Sequence, residues 1–138
     1  ALADGTLDAL VSDHTPVDAD AKALPFAEAQ PGATGLELFW RLALKWGQES
    51  GVDLSTVLSR ITARPAQVLG SALSTLQGSV GQLVVGGAAD VAVLSTEGHW
   101  PVADATLRSQ CKSTPFSGYE LPGGVRATLV GGHIAFEA

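Results

Sequence analysis

A short apolar run near the start of the chain, residues 9–11, ends on the polar segment Ser12-Asp13-His14-Thr15-Pro16. A brief apolar run bounded by polar residues predicts a buried strand. No second strand is predicted before a series of helices, although a parallel strand needs neighbouring strands that its helices cover. We therefore expect the first half of the chain to be the end of a larger α/β domain, with Asp13 at the carboxyl end of the strand.

Three helices are predicted after this strand. Residues 15–34 form a loop rich in Pro, Ala, Asp and Gly, and loops longer than about 12–15 residues are often functional. Apolar residues at helical spacing predict an amphipathic helix over residues 35–48. Asp53 is the predicted N-cap of a second helix, Pro65 the first residue of a third and Gly70 its end.

The pattern changes to β structure after Gln77. Apolar or alternating runs predict strands over residues 80–85 and 90–94, separated by Gly86-Gly87-Ala88-Ala89. Two further runs, residues 125–130 and 133–136, flank Gly131-Gly132 and predict a hairpin with a two-residue turn. The chain is thus expected to contain one strand, three helices and then a small β unit.

Composition excludes several classes of partner. The 138 residues carry a net charge of −6, which disfavours binding to nucleic acid or to an anionic membrane surface. No stretch approaches the roughly 20 apolar residues of a membrane span. Cys111 is the single cysteine, so an internal disulfide is excluded and a reducing cytoplasm is the expected compartment.

Six segments occur in the order in which one enzyme family carries them. They are Asp13-His14-Thr15-Pro16, Lys22-Ala23-Leu24-Pro25-Phe26, Gly32-Ala33-Thr34-Gly35-Leu36-Glu37, Thr62-Ala63-Arg64-Pro65-Ala66, residues 81–94, and Lys112-Ser113-Thr114-Pro115-Phe116-Ser117-Gly118. Together they resemble the C-terminal part of a dihydroorotase, of the cyclic amidohydrolase family, over nearly the whole chain.

This resemblance implies an α/β fold, the C-terminal fragment of a metal-dependent (β/α)8 barrel followed by part of a small β-sandwich. Residues 7–12 would be the last barrel strand, residues 1–76 the end of the barrel and residues 77–138 the sandwich part. The implied reaction is the interconversion of carbamoyl aspartate and dihydroorotate in pyrimidine synthesis. The implied substrate is therefore a small cyclic amide.

The resemblance also implies roles for three residues. Asp13 would be a zinc ligand and the general base toward the attacking water, and the main chain of Gly32 and Ala33 would bind substrate. Zinc needs several nitrogen, oxygen or sulfur ligands, and one aspartate does not make a site. The family's other ligands lie on segments that this chain lacks, so we expect these 138 residues alone to bind no zinc and to have no activity.

One position departs from the family's pattern. Active dihydroorotases carry a histidine that contacts the substrate carboxylate where this chain has Val17, and valine can neither donate a hydrogen bond nor carry charge. Val17 resembles the non-catalytic dihydroorotase-like proteins that assemble with aspartate transcarbamoylase. A third alternative is a relative that acts on another cyclic amide, such as a hydantoin or allantoin.

The remaining polar and apolar groups have structural interpretations. His14 is expected to pack or to support the site indirectly, His99 and His133 to be structural or solvated, and Lys22 to lie on a solvated loop. Cys111 has no partner that would make it a nucleophile. An exposed apolar face on the helix around residues 36–46 would favour association of the chain with itself, and a homo-oligomer is expected.

Overall fold

The chain folds into a cluster of short helices packed on a three-stranded antiparallel sheet. The computed structural model describes residues 1–73 and 80–138. The helices are α1 (Ala19–Lys22), α2 (Phe39–Ser50), α3 (Leu54–Ile61) and α4 (Ala63–Leu69); a 3-10 turn, Leu36–Leu38, leads into α2 and another, Gly70–Leu73, follows α4. The strands are β1 (Val91–Pro101), β2 (Glu120–Val130) and β3 (His133–Glu137).

The sheet has the order β1-β2-β3, with both pairs antiparallel. Val91 lies opposite Leu129 and Trp100 opposite Leu121, and the register shifts between Ser95 and His99. Val130 pairs with His133 across the turn formed by Gly131 and Gly132. Both glycines have positive φ angles, 55° and 82°, as a tight two-residue hairpin turn requires. The hairpin predicted from this glycine pair is confirmed.

The core consists of two clusters of buried side chains, one around the 3-10 turn before α2 and one between α2 and α3. Leu38, at the end of the 3-10 turn, is fully buried in one cluster with Val102, Leu107 and Leu121. The second cluster joins α2 to α3 through four buried side chains, Trp40, Ala43, Leu44 and Val57. The indole N–H of Trp40 donates to the Gly124 carbonyl at 3.1 Å, which ties α2 to β2. The expectation that α2 presents an exposed apolar face is therefore wrong, because that face packs on the sheet and on α3.

The helix predictions are confirmed, with small shifts at their ends. Asp53 caps α3, since its Oδ1 accepts a hydrogen bond from the Thr56 N–H at 3.0 Å. α4 begins at Ala63, two residues before the predicted start at Pro65, and Gly70 ends it. The loop predicted over residues 15–34 is irregular apart from the four-residue helix α1 and a few turns.

Two predicted strands are wrong. Residues 7–12 and 80–85 contain no strand, because a strand needs a hydrogen-bonded neighbour and neither segment finds one among the described residues. Their apolar side chains are largely exposed, with Val11 at 79%, Leu83 at 85% and Val85 fully accessible. The described residues accordingly contain no barrel strand, and the predicted boundary between residues 76 and 77 lies outside them.

The part of the chain that the structure describes contains no helix with the length and hydropathy that crossing a membrane requires.

Candidate functional site

Asp13 is exposed and lies in a segment without regular secondary structure that precedes α1. Residues 8–18 have neither helical nor strand structure, and the part before Asp13 is held where the Leu10 N–H donates to the Arg60 carbonyl of α3 at 3.0 Å. Asp13 has a φ of +44°, a left-handed conformation that no other non-glycine residue adopts in the described part of the chain. Aspartate tolerates this conformation better than most residues, and such conformations are concentrated at functional sites.

His14 connects this segment to the start of α2. Its Nδ1 accepts hydrogen bonds from the N–H groups of Gly35 at 3.2 Å and Leu36 at 3.3 Å. These N–H groups lie at the start of the helical segment, where backbone donors lack acceptors within the helix. His14 therefore acts as a side-chain cap, in agreement with the structural role predicted for it. His99 and His133 are exposed on the strands.

The glycine-rich segment, residues 32–35, packs directly against the residues that follow Asp13. The Thr15 N–H donates to the Ala33 carbonyl at 3.0 Å, and the Thr34 N–H donates to the Ser113 carbonyl at 2.8 Å. Gly32 has a φ of +131°, and a Cβ there would overlap the Thr15 carbonyl and lie 2.8 Å from Val17 Cγ2. Only glycine fits between these groups.

Four separate segments of the chain form one cleft around Asp13. Its volume is about 630 Å³, and its walls include Asp13, Lys22, Gly32, Ala33 and residues 113–116. All three predicted site residues, Asp13, Gly32 and Ala33, thus lie together. The N–H groups of Gly32 and Ala33 have no hydrogen-bond acceptor among the described residues.

Lys22 also lines this cleft, half-buried at the end of α1. The position on a solvated loop expected from the sequence is therefore wrong for Lys22. The cleft therefore combines a carboxylate that can accept a proton, free backbone donors and an ammonium group that attracts anions.

The described residues do not by themselves fit a zinc ion. They contain no group of three or more His, Cys, Asp or Glu side chains placed to bind a metal. Asp13 offers one carboxylate, whereas the Nδ1 of neighbouring His14 is occupied by two backbone N–H groups. A zinc site at Asp13 would need ligands from polypeptide beyond the described residues.

Val17 and Cys111 meet beside the cleft. The Val17 N–H donates to the Cys111 Sγ at 3.4 Å, and the Val17 side chain faces Gly32. The side chain at position 17 is therefore an apolar wall next to the glycine-rich segment, with no group that could bind an anion.

Comparison with known proteins gives a consistent relationship. No family model matches the chain. The dihydroorotase-like protein of Pseudomonas aeruginosa is 39% identical over 137 residues, which cover 99% of this chain and 30% of that protein. A dihydroorotase of Geobacter sp. strain M21 is 36% identical over 137 residues, covering 99% of this chain and 31% of that protein.

The solved structures extend the relationship to the fold. L-hydantoinase (dihydropyrimidinase) from Arthrobacter aurescens matches with a TM-score of 0.84 at 28% identity, over 99% of this chain and 30% of that one. Dihydropyrimidinase from Brevibacillus agri matches with a TM-score of 0.86 at 20% identity, again over 99% and 30%, and shows the likeness of fold alone. The chain spans about 30% of the length of the relatives it matches, and the resemblance drawn from the six motifs is confirmed.

Proposed function

We propose that this chain, a homologue of dihydroorotases over nearly its whole length, forms part of the active site of a cyclic amidohydrolase that interconverts dihydroorotate and carbamoyl aspartate. One observation carries the proposal. Asp13, Gly32 and Ala33 line one cleft, although separate segments supply them, and the N–H groups of Gly32 and Ala33 have no acceptor among the described residues. A proton acceptor beside backbone donors is what hydrolysis of a cyclic amide requires.

In this proposal each residue has a defined task. The Asp13 carboxylate accepts a proton from the water that attacks the ring carbonyl carbon. It then returns the proton to the amide nitrogen as the C–N bond breaks, so that one water is consumed and the ring opens. The N–H groups of Gly32 and Ala33 hold substrate oxygens, and Lys22 lies where it attracts an anionic group.

The larger protein in the proposal is a metal-dependent barrel with a sandwich domain. Residues 1–76 would end the barrel and residues 77–138 would belong to the sandwich, as in the family the chain resembles. Exposed apolar side chains support contacts with further polypeptide, because Phe26 and Val85 are fully accessible. Zinc would be held there with Asp13 as one ligand, and the 138 residues alone would have no activity.

A non-catalytic role is the second candidate, and Val17 favours it. Its side chain is apolar and faces the glycine-rich segment, where the family's active members carry a substrate-binding histidine. The 39% identical relative from Pseudomonas aeruginosa is named a dihydroorotase-like protein. In this alternative the protein serves as an assembly partner of aspartate transcarbamoylase.

A hydantoinase-like or allantoinase-like activity is the third candidate. It is favoured by the match to L-hydantoinase, at 28% identity over 99% of this chain. The cleft would then receive a different cyclic amide, with the same task for Asp13.

A chimera tests the three candidates in a complete protein. This chain would replace the homologous part of the Geobacter sp. strain M21 dihydroorotase, and hydrolysis of dihydroorotate and of hydantoin would be measured. We expect turnover of dihydroorotate that falls about 100-fold or more in Asp13→Asn. Asp18→Asn is the matched control, because Asp18 is exposed and does not line the Asp13 cleft.

The other outcomes discriminate the alternatives. A chimera that elutes as a folded protein and binds zinc but has no turnover, and that gains turnover with Val17→His, supports the non-catalytic role. Turnover of hydantoin without turnover of dihydroorotate supports the third candidate. Equal activity of Asp13→Asn and Asp18→Asn would overturn the role of Asp13.

A further inference from the structure

A second cleft, which shares no lining residue with the Asp13 cleft, lies between the start of α2 and the sheet. Its volume is about 430 Å³, and two arginines line it, Arg41 from α2 and Arg108 from the loop after β1. Aromatic rings hold both guanidinium groups. Arg41 lies over the Trp100 ring at 4.8 Å from its centre, and Arg108 lies over the Phe136 ring at 5.1 Å.

Neither guanidinium has an acidic partner. The ion pairs among the described residues join the N-terminus to Asp4 and Lys45 to Glu49, and no hydrogen bond from either guanidinium is found there. Glu37 and the last residue, Ala138, also line the cleft, and no ion pair joins either of them to the two arginines. The two carboxylate oxygens of Glu37 accept the backbone N–H groups of Arg108 at 2.8 Å and Ser109 at 2.9 Å. The carboxylate is therefore bound to the main chain, and both cationic heads keep free donors.

The position of Arg41 is costly without an anion. Its side chain is half-buried, and this burial lowers the pKa of Arg41. A cation that is partly removed from water without a counter-charge destabilises a fold. The chain places two of its eight basic residues in one cleft. An anion bound beside Arg41 would offset the cost of its burial.

We propose that the Arg41–Arg108 cleft binds a small ligand with a carboxylate or phosphate group on an apolar body. Guanidinium groups bind such oxyanions through paired N–H donors. The cleft volume lies in the range of small-molecule sites, and Leu36, Val125 and the two aromatic rings provide the apolar lining that such ligands need. This inference is independent of the activity proposed for the Asp13 cleft.

Three probes that share a phenyl ring are benzoate, phenyl phosphate and neutral benzamide. They separate the contribution of the anionic group to binding from that of the ring. Binding would be followed by NMR on the arginine Nε–H and tryptophan Nε1–H signals of the full chain. We expect benzoate or phenyl phosphate to shift the signals of Arg41, Arg108 and Trp100 in a saturable manner, and benzamide to leave them unchanged. The stronger of the two anions identifies the class of oxyanion.

Substitutions locate the site. Arg41→Gln and Arg108→Gln are each expected to weaken anion binding about tenfold or more. Arg64→Gln is the matched control, because Arg64 is exposed and bonds to Gln67 outside the cleft. If Arg41→Gln unfolds the chain, Arg41→Lys keeps the charge without the paired donors and is expected to weaken binding. Equal shifts with benzamide, shifts that follow ionic strength without saturating, or unchanged binding in Arg41→Gln and Arg108→Gln would overturn the proposal.

Discussion

The Nδ1 atom of His14 accepts a hydrogen bond from the Gly35 N–H at 3.2 Å, across 21 positions of sequence. A second bond, from the Leu36 N–H at 3.3 Å, makes the imidazole the cap of the turn that leads into α2. Because Nδ1 accepts, the ring proton must reside on Nε2. The residue next to Asp13 is thereby anchored to the helical layer, and Asp13 itself lines the cleft.

Replacing His14 is expected to weaken the fold through this cap. His14→Ala removes the acceptor and should lower the free energy of unfolding by about 1 kcal/mol, the usual effect of losing a side-chain cap. His14→Asn places an amide oxygen close to the position of Nδ1 and should retain most of the stability. Urea denaturation measures both variants.

His133→Ala is the control for this comparison, because His133 is exposed on β3. We expect it to leave the urea midpoint nearly unchanged. A loss in His14→Ala no larger than that in His133→Ala would show that the two hydrogen bonds do not stabilise the chain.

Gly32 is expected to be intolerant of any side chain. Gly32→Ala introduces a Cβ that overlaps the Thr15 carbonyl and Val17 Cγ2, at a φ of +131°. Gly118→Ala is the matched control, since Gly118 also has a positive φ, +81°, but nothing lies within 4 Å of its Cβ position. The control should cost about 1–2 kcal/mol from backbone strain alone, and Gly32→Ala should cost more. Thermal unfolding of both variants measures the loss of stability. Equal losses would contradict the close approach of the Thr15 carbonyl and Val17 Cγ2 to Gly32.

The fold was predictable where the signal lies within a few residues. The Asp53 cap and the Gly131-Gly132 turn depend on neighbours in sequence, and both are confirmed. The strands predicted over residues 7–12 and 80–85 depend on partners elsewhere, and an apolar run carries no information about whether such a partner is present. Pairing between distant segments is therefore not predictable from the local pattern of this chain.

The residues of the candidate site are likewise predictable only where a local motif marks them. Asp13, Gly32 and Ala33 were selected because they belong to recognisable motifs, and they do line one cleft; their catalytic and binding roles stay predictions. Lys22 was missed because only the fold of residues 15–34 brings the end of α1 to the cleft. The Arg41–Arg108 cleft was missed as well, since 67 positions separate two arginines that no local pattern connects.

The Asp53 cap should make stability depend on acid pH. Hydrogen bonds from the Ser55 and Thr56 hydroxyls and from the Thr56 N–H lower the pKa of Asp53 from 3.8 to about 2. Because the folded-state pKa is the lower one, the carboxylate stabilises the fold fully above the unfolded value of 3.8 and loses this effect as the pH falls towards 2. Asp53→Asn keeps a capping oxygen but cannot titrate.

Denaturation at a series of pH values compares the two proteins. We expect the free energy of unfolding of the unsubstituted chain to fall more steeply than that of Asp53→Asn between pH 3.8 and 2. Asp4, whose pKa is also lowered to about 2, titrates in both proteins and cancels in the difference. Parallel curves would show that the Asp53 cap is not coupled to protonation.

Two leucines in the turn before α2 test where the core lies. Leu38 is fully buried among Val102, Leu107 and Leu121, whereas Leu36 is 62% exposed. Leu38→Ala should lower the free energy of unfolding by about 2–5 kcal/mol, because it leaves a cavity between the turn and the sheet. Leu36→Ala makes the same chemical change with little loss of burial, and we expect an effect near the ±0.5 kcal/mol of surface substitutions. Urea denaturation of the two variants measures the difference, and similar losses in both would contradict the packing of the turn against β2.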